Sequence, residues 1–439
     1  MSAFRPVRVV PSFGMNGLIQ AGGHAAGLGF LERVTHMEKK MGPPMRVTVN
    51  GYKRNGNELE DIVYENMKPV ILLVRAMGVL PIIRPQIGIT KFKFASNAMI
   101  YSVLIYIAIT AHVLYVAWHR IKMVQAVQGS FEEAVIAYLF IVYLVPNFLI
   151  PILWYESRKN AECFNHWMDF QALTTRNIPI NMKLTAIWIA VVVPIVSAAC
   201  VFITQMTMDG FIVPYIYVTT FINVLGAYWY MHCNVISTCA NILAQDFKHA
   251  IRSNVQANIV ADYRALWLHL NRITREIGVA SCYCYTMLCI YLFFSSTLSI
   301  YGLFSQLKNG VSIKDLGLTV SAFSSIVLLH VICDQAHSAS QHVSVYSHFY
   351  SKSKSLIQFS SLNSFLLGQS SFSKEIIINM FLRATEMNPS DISLGGFFDV
   401  DRNLFKSFLG TMVTYLVVLL QFQISLPDIT NATNTTMSA

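Results

Sequence analysis

The last apolar run of the chain carries a line of polar side chains. Residues 407–426 contain no Lys, Arg, Asp or Glu, and at about 1.5 Å per residue a helix of this length crosses a hydrocarbon core of about 30 Å. The following residues fall three or four apart and share one helix face, which we name the polar stripe: Thr411, Thr414, Val418, Gln421 and Ser425. An unpaired amide in lipid costs several kcal/mol, so Gln421 must face protein or water. The stripe predicts either hydrogen bonds between packed helices, which the spacing alone favours, or the lining of a poorly selective cation path.

A second set of residues could form a ligand pocket. Tyr291, Ser295 and Ser299 share one face of the apolar run 277–304. Tyr143 and Tyr217 are expected at a similar depth on neighbouring helices. Aromatic walls with a few hydroxyl groups suit a small neutral ligand. The alternative is that these tyrosines belong to the aromatic belt at the membrane interface.

A third set, His330, Asp334 and His337, stands at i, i+4 and i+7 near the end of another apolar run. A catalytic zinc site needs a third nitrogen ligand and an open position for water, and the sequence shows no signature of either. These residues therefore predict a hydrogen-bonded polar cluster in which the pairing of Asp334 matters for folding or gating. We expect no metal, no cofactor and no enzymatic activity.

The elements that position these residues are predicted to be membrane-spanning helices. The chain is 54% hydrophobic and only 13% charged, which is too little charge for the surface of a soluble protein of 439 residues. Seven apolar runs are long enough to span a bilayer: 94–118, 134–154, 184–204, 210–231, 277–304, 315–333 and 407–426. The sequence predicts an all-α, polytopic membrane protein with seven transmembrane helices.

Charge placement predicts the orientation of these helices. With the N-terminus inside, 28 of the 32 Lys and Arg residues are cytoplasmic, as the positive-inside rule requires. The net charge of +9 then reflects topology, and we expect no nucleic-acid partner. The C-terminus is predicted outside, where Asn431 and Asn434 begin glycosylation sequons.

The predicted organisation has three parts. Residues 1–93 form a cytoplasmic N-terminal region with a short interfacial helix near 66–83. Residues 94–426 form the seven-helix domain, with cytoplasmic helical extensions at 233–276 and 336–406. Residues 427–439 form an external tail.

The polar stripe lies within a motif that resembles a known family. Thr414-Tyr415, five aliphatic residues and Gln421-Phe422 resemble the signature of the insect gustatory receptors. The segment from Phe381 to Ser425 resembles the carbon-dioxide branch of that family, and Leu292 to Leu307 and Ile152 to Phe170 support the similarity. The resemblance extends over roughly residues 60–426.

The resemblance implies an odorant and gustatory receptor-like channel fold. Members of the family form tetrameric ligand-gated cation channels in which the last helix of each subunit lines the pore. Carried over to this chain, Gln421 and Phe422 lie at the constriction, Val418 and Thr414 lie below, and Tyr415 belongs to the gate. The implied ligand is carbon dioxide, sensed with related subunits in the plasma membrane of chemosensory dendrites, among membrane lipid.

Two alternatives remain open at this stage. One is a gustatory receptor channel for another tastant, such as a sugar. The other is a seven-helix G-protein-coupled receptor, which would place 28 basic residues outside and 4 inside, against the positive-inside rule. A secondary transporter is disfavoured, because the sequence shows neither an internal repeat nor several charges within the apolar runs.

Overall fold

The structure is a computed structural model. It describes residues 53–54, 57–58, 61–126, 139, 141–174, 180–205, 212–253, 257–306, 319–344 and 389–425. Two compact units divide the chain after residue 59. In the first, strands β1 (Lys53–Arg54) and β2 (Asn57–Glu58) pair as a short antiparallel hairpin.

The second unit is built from helices. In chain order the described helices are α1 (Ile62–Ala76), α2 (Asn97–Ala126), α3 (Leu149–Leu173), α4 (Lys183–Gln205), α5 (Ile212–Ser253), α6 (Ala257–Ala280), α7 (Cys282–Gln306), α8 (Thr319–Ser344) and α9 (Arg402–Ser425). A hairpin of strands β3 (Ile82–Gln86) and β4 (Ile89–Phe92) separates α1 from α2. The predicted all-α class is confirmed for this unit apart from that hairpin.

Six of the described helices are long and apolar enough to span a membrane: α2, α4, α5, α7, α8 and α9. Each coincides with one of the seven predicted runs. Large apolar side chains on α2 and α4, including Leu104, Trp188 and Ile195, are exposed, as expected of helices that face lipid rather than water. The chain is a multi-pass membrane protein.

The second predicted run, 134–154, falls partly outside the described residues. Its described part is not one continuous helix, because a 3-10 helix at Val145–Phe148 precedes α3. Pro146 stands at the beginning of that 3-10 helix, where its missing N–H is no loss and its fixed φ suits the turn. α3 then continues well beyond the predicted end of the run.

The N-terminal helix differs from the expected interfacial helix near 66–83. α1 begins after Asp61, whose carboxylate accepts a hydrogen bond from Tyr64 N at 3.1 Å and pairs with Arg84 at 2.7 Å. It ends at Ala76, and Gly78 follows with φ of 71°, a backbone conformation that favours glycine. Residues 82–83 belong to β3. Apolar patterning does not distinguish a short helix that ends in a turn from one that continues.

Two long helices occupy the predicted extension at 233–276. α5 continues to Ser253 without a break, and α6 follows at Ala257–Ala280. The buried rings of Trp229 and Tyr285 join α5 to its neighbours, because Trp229 donates to Ile332 O at 3.0 Å and Tyr285 donates to Leu225 O at 2.9 Å. The extension predicted at 336–406 begins with the end of α8, and its residues 345–388 lie outside the described part.

A tight turn leads into α9. Gly395 and Gly396 have φ of 60° and 82°, and a Cβ on Gly395 would lie 2.3 Å from Cys282 Sγ, so only glycine fits there. Asp401 Oδ1 accepts a hydrogen bond from Leu404 N at 2.7 Å, so this carboxylate caps the beginning of α9. The turn holds the beginning of α9 against the beginning of α7.

Candidate functional site

α9 is held mainly by one face, which rests on α7. The ring of Phe293 on α7 lies 5.6 Å from the ring of Phe408 and 6.1 Å from that of Tyr415. The Ser296 hydroxyl lies 3.4 Å from the Met412 sulfur, and Met412 is 2% exposed. α7 therefore determines where this helix lies.

The polar stripe lies on another side of α9. Thr411, Thr414, Val418 and Gln421 are all exposed. The Thr411 hydroxyl donates to Ser407 O at 2.8 Å, and the Thr414 hydroxyl donates to Gly410 O at 3.0 Å. These two threonines thus bond to the backbone of their own helix rather than to a neighbouring helix. The side chains of Phe422 and Ser425 lie outside the described part.

The predicted polar cluster on α8 contacts the beginning of α9. Asp334 Oδ1 accepts from Arg402 Nε at 2.7 Å, and the His330 ring lies 4.9 Å from the Phe405 ring. His337 is on the same helix, one turn beyond Asp334. Among the described residues, no group of three or more His, Cys, Asp or Glu side chains is arranged to hold a metal ion. The sequence analysis did not identify Arg402 as a partner of Asp334. The signal that could have identified it is a positive charge next to the last apolar run.

A cavity opens between α4, α5 and α8, and we name it the outer cavity. Its empty space, including its mouth, is about 410 Å³. Five hydroxyl-bearing side chains line it: Tyr143, Tyr215, Thr219, Ser321 and Ser324. The remaining wall is formed by Cys200, Val201 and Val320. Hydroxyl groups on an otherwise apolar wall suit a small uncharged ligand.

Tyr143 joins this cavity to two helices. Its hydroxyl lies 2.8 Å from Ser299 Oγ on α7 and accepts a hydrogen bond from Ser321 Oγ on α8 at 2.6 Å. Arg120, at the far end of α2, is buried, and its guanidinium carbon lies 6.0 Å from the centroid of the Tyr215 ring. The cavity wall is therefore connected by polar contacts to α2, α7 and α8.

The structure brings together only some of the predicted pocket residues. Tyr143 lines the outer cavity and Ser299 bonds to it, whereas Ser295 is buried within α7 and Tyr291 is partly buried there. The hydroxyl of Tyr217 points elsewhere and donates to Met77 O at 2.7 Å, which fixes the end of α1. Ser321 and Ser324 were missed, although two serines three apart in an apolar run are a visible sign of a polar helix face.

One buried carboxylate was also missed. Glu156 on α3 accepts hydrogen bonds from the backbone N–H groups of Tyr283 at 2.7 Å and Cys284 at 3.3 Å, so it caps the first turn of α7. Burial raises the pKa of Glu156 to about 7, against the opposing effects of the two N–H groups and of Lys159. No local sequence motif predicts this contact, because Glu156 and Tyr283 are 127 positions apart in the chain.

Comparisons with known proteins agree with this architecture. The family model described as 7tm chemosensory receptor matches residues 67–426. The chain is 46% identical over 375 residues to gustatory and odorant receptor 24 of Anopheles gambiae, covering 84% of this chain and 80% of the relative. It is 28% identical over 386 residues to gustatory and odorant receptor 21a of Drosophila melanogaster, covering 83% of this chain and 82% of the relative.

Solved structures show the same fold. The insect olfactory receptor OR5 from Machilis hrabei, in complex with eugenol, superposes with a TM-score of 0.60 at 15% identity, covering 82% of this chain and 99% of that one. A second solved structure of the same receptor gives a TM-score of 0.59 at 16% identity, covering 81% of this chain and 97% of that one. The expected odorant receptor-like fold is confirmed, and these relatives are receptors rather than enzymes. The chain belongs to the 7tm chemosensory receptor family, together with the insect gustatory and odorant receptors.

Proposed function

We propose that the chain is a subunit of a ligand-gated, non-selective cation channel that opens to carbon dioxide. It assembles as a tetramer with copies of itself or with related receptor subunits in the plasma membrane of chemosensory dendrites. The observation that carries the proposal is the placement of the polar stripe on α9. Its exposed residues turn away from α7, which is the arrangement that a pore-lining helix needs.

The pore is formed by four copies of α9 around a central axis. Gln421 and Phe422 form the constriction, and Val418 and Thr414 lie below them. Tyr415, on the same helix, belongs to the gate, and its ring contacts the ring of Phe293 on α7. Because the stripe carries amide and hydroxyl groups and no fixed charge, it offers hydration without strong selection among cations.

Carbon dioxide binds in the outer cavity, which the predicted orientation opens towards the outside. The cavity offers hydroxyl groups on an apolar wall, and this suits the neutral molecule. A ligand bound next to Tyr143 changes the geometry of the hydrogen bonds that this tyrosine makes with Ser299 and Ser321. Ser299 lies one turn from Ser296, which contacts Met412. A displacement at the cavity thus reaches the pore helix through α7.

The assignment is tested by recording from cells that express this chain together with related receptor subunits. Carbon dioxide is pulsed at fixed extracellular and cytosolic pH, because hydration of the gas releases protons. A cation current in at least one combination is expected. The absence of current in every combination, with surface expression verified by labelling, removes carbon dioxide as the ligand.

A sugar or another polyhydroxylated tastant is the second candidate. The observation that favours it is the set of five hydroxyl-bearing residues on the cavity wall, which can pair with ligand hydroxyl groups. The same cells are therefore challenged with sugars. A sugar response without a carbon dioxide response assigns the chain to that function.

Orientation is tested separately with epitope tags at the two ends of the chain. The channel proposal places the N-terminus inside and the C-terminus outside. A G-protein-coupled receptor has the opposite arrangement, so labelling of the N-terminal tag in intact cells would exclude the channel topology.

A further inference from the structure

A second cavity lies deeper in the molecule, where α3, α5, α6 and α7 meet. We name it the inner cavity. It admits about one water molecule. The polar side chains on its wall are Asn160, Tyr228, His232, Ser281 and Tyr285. Its residues are distinct from those of the outer cavity.

Three of these side chains have hydrogen-bond partners within the protein. Asn160 Nδ2 donates to Glu156 O at 3.2 Å and to Ala280 O at 3.3 Å, and its Oδ1 accepts from the Ser281 hydroxyl at 3.1 Å. The hydroxyl of Tyr285 donates to Leu225 O at 2.9 Å. These contacts form a fixed polar wall.

Tyr228 and His232 differ from the other wall residues. The Tyr228 hydroxyl and both ring nitrogens of His232 are buried and have no hydrogen-bond partner among the described residues. The two side chains are 5% and 4% exposed, and their rings lie one helical turn apart with centroids separated by 4.5 Å. Native proteins rarely leave such atoms unpaired, because a buried polar atom without a hydrogen bond is destabilising.

The chemistry of these atoms defines the ligand. No Asp, Glu, Lys or Arg side chain lines the inner cavity, so a buried imidazolium would have no counterion and the imidazole is neutral. A neutral imidazole presents one donor and one acceptor, and a tyrosine hydroxyl presents both. A molecule that pairs with the acceptor nitrogen of the imidazole must donate a hydrogen bond, and the cavity restricts it to an uncharged molecule of the size of water. Carbon dioxide has no hydrogen to donate and does not meet this requirement.

We propose that the inner cavity is a binding site for a resident water molecule that bridges the Tyr228 hydroxyl and a ring nitrogen of His232. The site is a structural element of the subunit, in which the water pairs two buried polar side chains of α5 where this helix meets α3, α6 and α7. It is independent of the identity of the channel's ligand.

The sign of a stability change tests this site. Tyr228→Phe removes a hydroxyl group that either bonds to a water molecule or has no partner at all. If the water is present, the variant loses a hydrogen bond, and the Tm of the full-length protein in lipid nanodiscs falls. If the hydroxyl is unpaired, its removal relieves a buried polar atom, and the Tm rises or does not change.

Tyr285→Phe is the matched control. Its hydroxyl group belongs to the same cavity wall and has a known partner in Leu225 O, so its removal gives the Tm decrease expected for one lost hydrogen bond. We expect a decrease of similar size for Tyr228→Phe. A rise, or an unchanged Tm beside a clear decrease for Tyr285→Phe, overturns the proposal.

A density map of the unmodified protein provides a test that does not depend on the folding of a variant. At a resolution where other buried waters are visible, a density peak is expected within hydrogen-bond distance of the Tyr228 hydroxyl and a His232 ring nitrogen. An empty cavity in such a map overturns the proposal even if the Tm of Tyr228→Phe decreases.

Discussion

Arg402, the first residue of α9, donates from Nε to Asp334 Oδ1 on α8 at 2.7 Å. Close to this pair, the ring of Phe405 rests against His330. α8 also carries Ser321 and Ser324 of the outer cavity. One helix therefore connects the proposed ligand site with the beginning of the proposed pore helix, beside the connection that α7 provides.

Breaking this pair is expected to change gating more than folding. Both side chains are partly exposed, at 52% and 26%, and ion pairs of this kind contribute about 0–1 kcal/mol. Asp334→Ala should therefore reach the cell surface and shift the half-maximal ligand concentration by about 2- to 5-fold, which corresponds to that energy. Dose–response currents measure the shift.

The reversed pair, Asp334→Arg with Arg402→Asp, is expected to restore part of the normal response because it recreates the attraction. Glu162→Ala is the control, since it breaks the exposed pair of Arg158 and Glu162 within α3. If Asp334→Ala and Glu162→Ala behave alike, the pair has no specific role in gating.

The polar stripe predicts a change in permeation when Gln421 is altered. Gln421→Glu places one carboxylate per copy of this subunit around the proposed pore and should increase the permeability of calcium relative to sodium, because negative charge around a pore favours divalent cations. Gln421→Ala removes the amide and should change single-channel conductance. Reversal potentials and single-channel recordings measure both effects.

Val413→Ala is the matched control for the pore. Val413 is exposed on the same helix but lies outside the polar stripe, and its substitution should leave permeation unchanged. Unaltered permeation in both Gln421 variants would contradict the pore proposal and favour the alternative, in which the polar stripe forms hydrogen bonds between packed helices.

Tyr143 predicts the location of the ligand site. Tyr143→Phe keeps the ring but removes the hydroxyl that contacts Ser299 and Ser321. A hydrogen bond contributes about 0.5–1.5 kcal/mol, so the loss of one hydrogen bond at the ligand site should raise the half-maximal ligand concentration by about 2- to 13-fold. Dose–response currents at fixed pH provide the measurement.

Tyr217→Phe separates ligand binding from general stability. It removes a tyrosine hydroxyl that bonds to Met77 O rather than lining the outer cavity. We expect lower Tm or surface expression and an unchanged half-maximal concentration. Equal shifts in the two tyrosine variants would place the ligand elsewhere.

The sequence predicts features that depend on local pattern. Span length and helix periodicity locate α9 and its polar stripe, because hydrophobicity over 20 residues and spacing along one helix are properties of a single segment. The cap at Asp401 and the glycine turn before it are local features too, since each depends on residues within one short segment.

Contacts between distant segments escape this reasoning. Tyr217 and Tyr143 look alike in the sequence, yet one fixes the end of α1 and the other lines the outer cavity. Their roles depend on which helix face meets which neighbour, and tertiary packing decides this. The pairing of Asp334 with Arg402 and the capping of α7 by Glu156 likewise depend on how the helices pack against one another, which the local sequence does not specify.

Glu156 predicts a pH dependence of stability. Burial raises its pKa to about 7, from an ordinary value of 4.5, so between these values the folded protein binds this proton more tightly than the unfolded chain does. Linkage then makes stability rise as pH falls through this range, and the penalty for burying the ionised carboxylate is fully present above about pH 7. Tm measured from pH 5 to 8 should therefore contain a component that decreases with rising pH.

Glu156→Gln removes that component, because the amide does not titrate. Its one oxygen can still accept from Tyr283 N, whereas the bond from Cys284 N to the second carboxylate oxygen is lost. The Tm of the variant minus that of the unmodified protein should therefore increase as the pH rises from 5 to 8, whatever constant loss the missing bond from Cys284 N adds. Glu162→Gln, on the exposed side of the same helix, is the control and should leave the pH profile unchanged. Parallel profiles for the unmodified protein and Glu156→Gln would show that Glu156 does not titrate in this range. In that case cytosolic acidification by carbon dioxide cannot act on the channel through this cap.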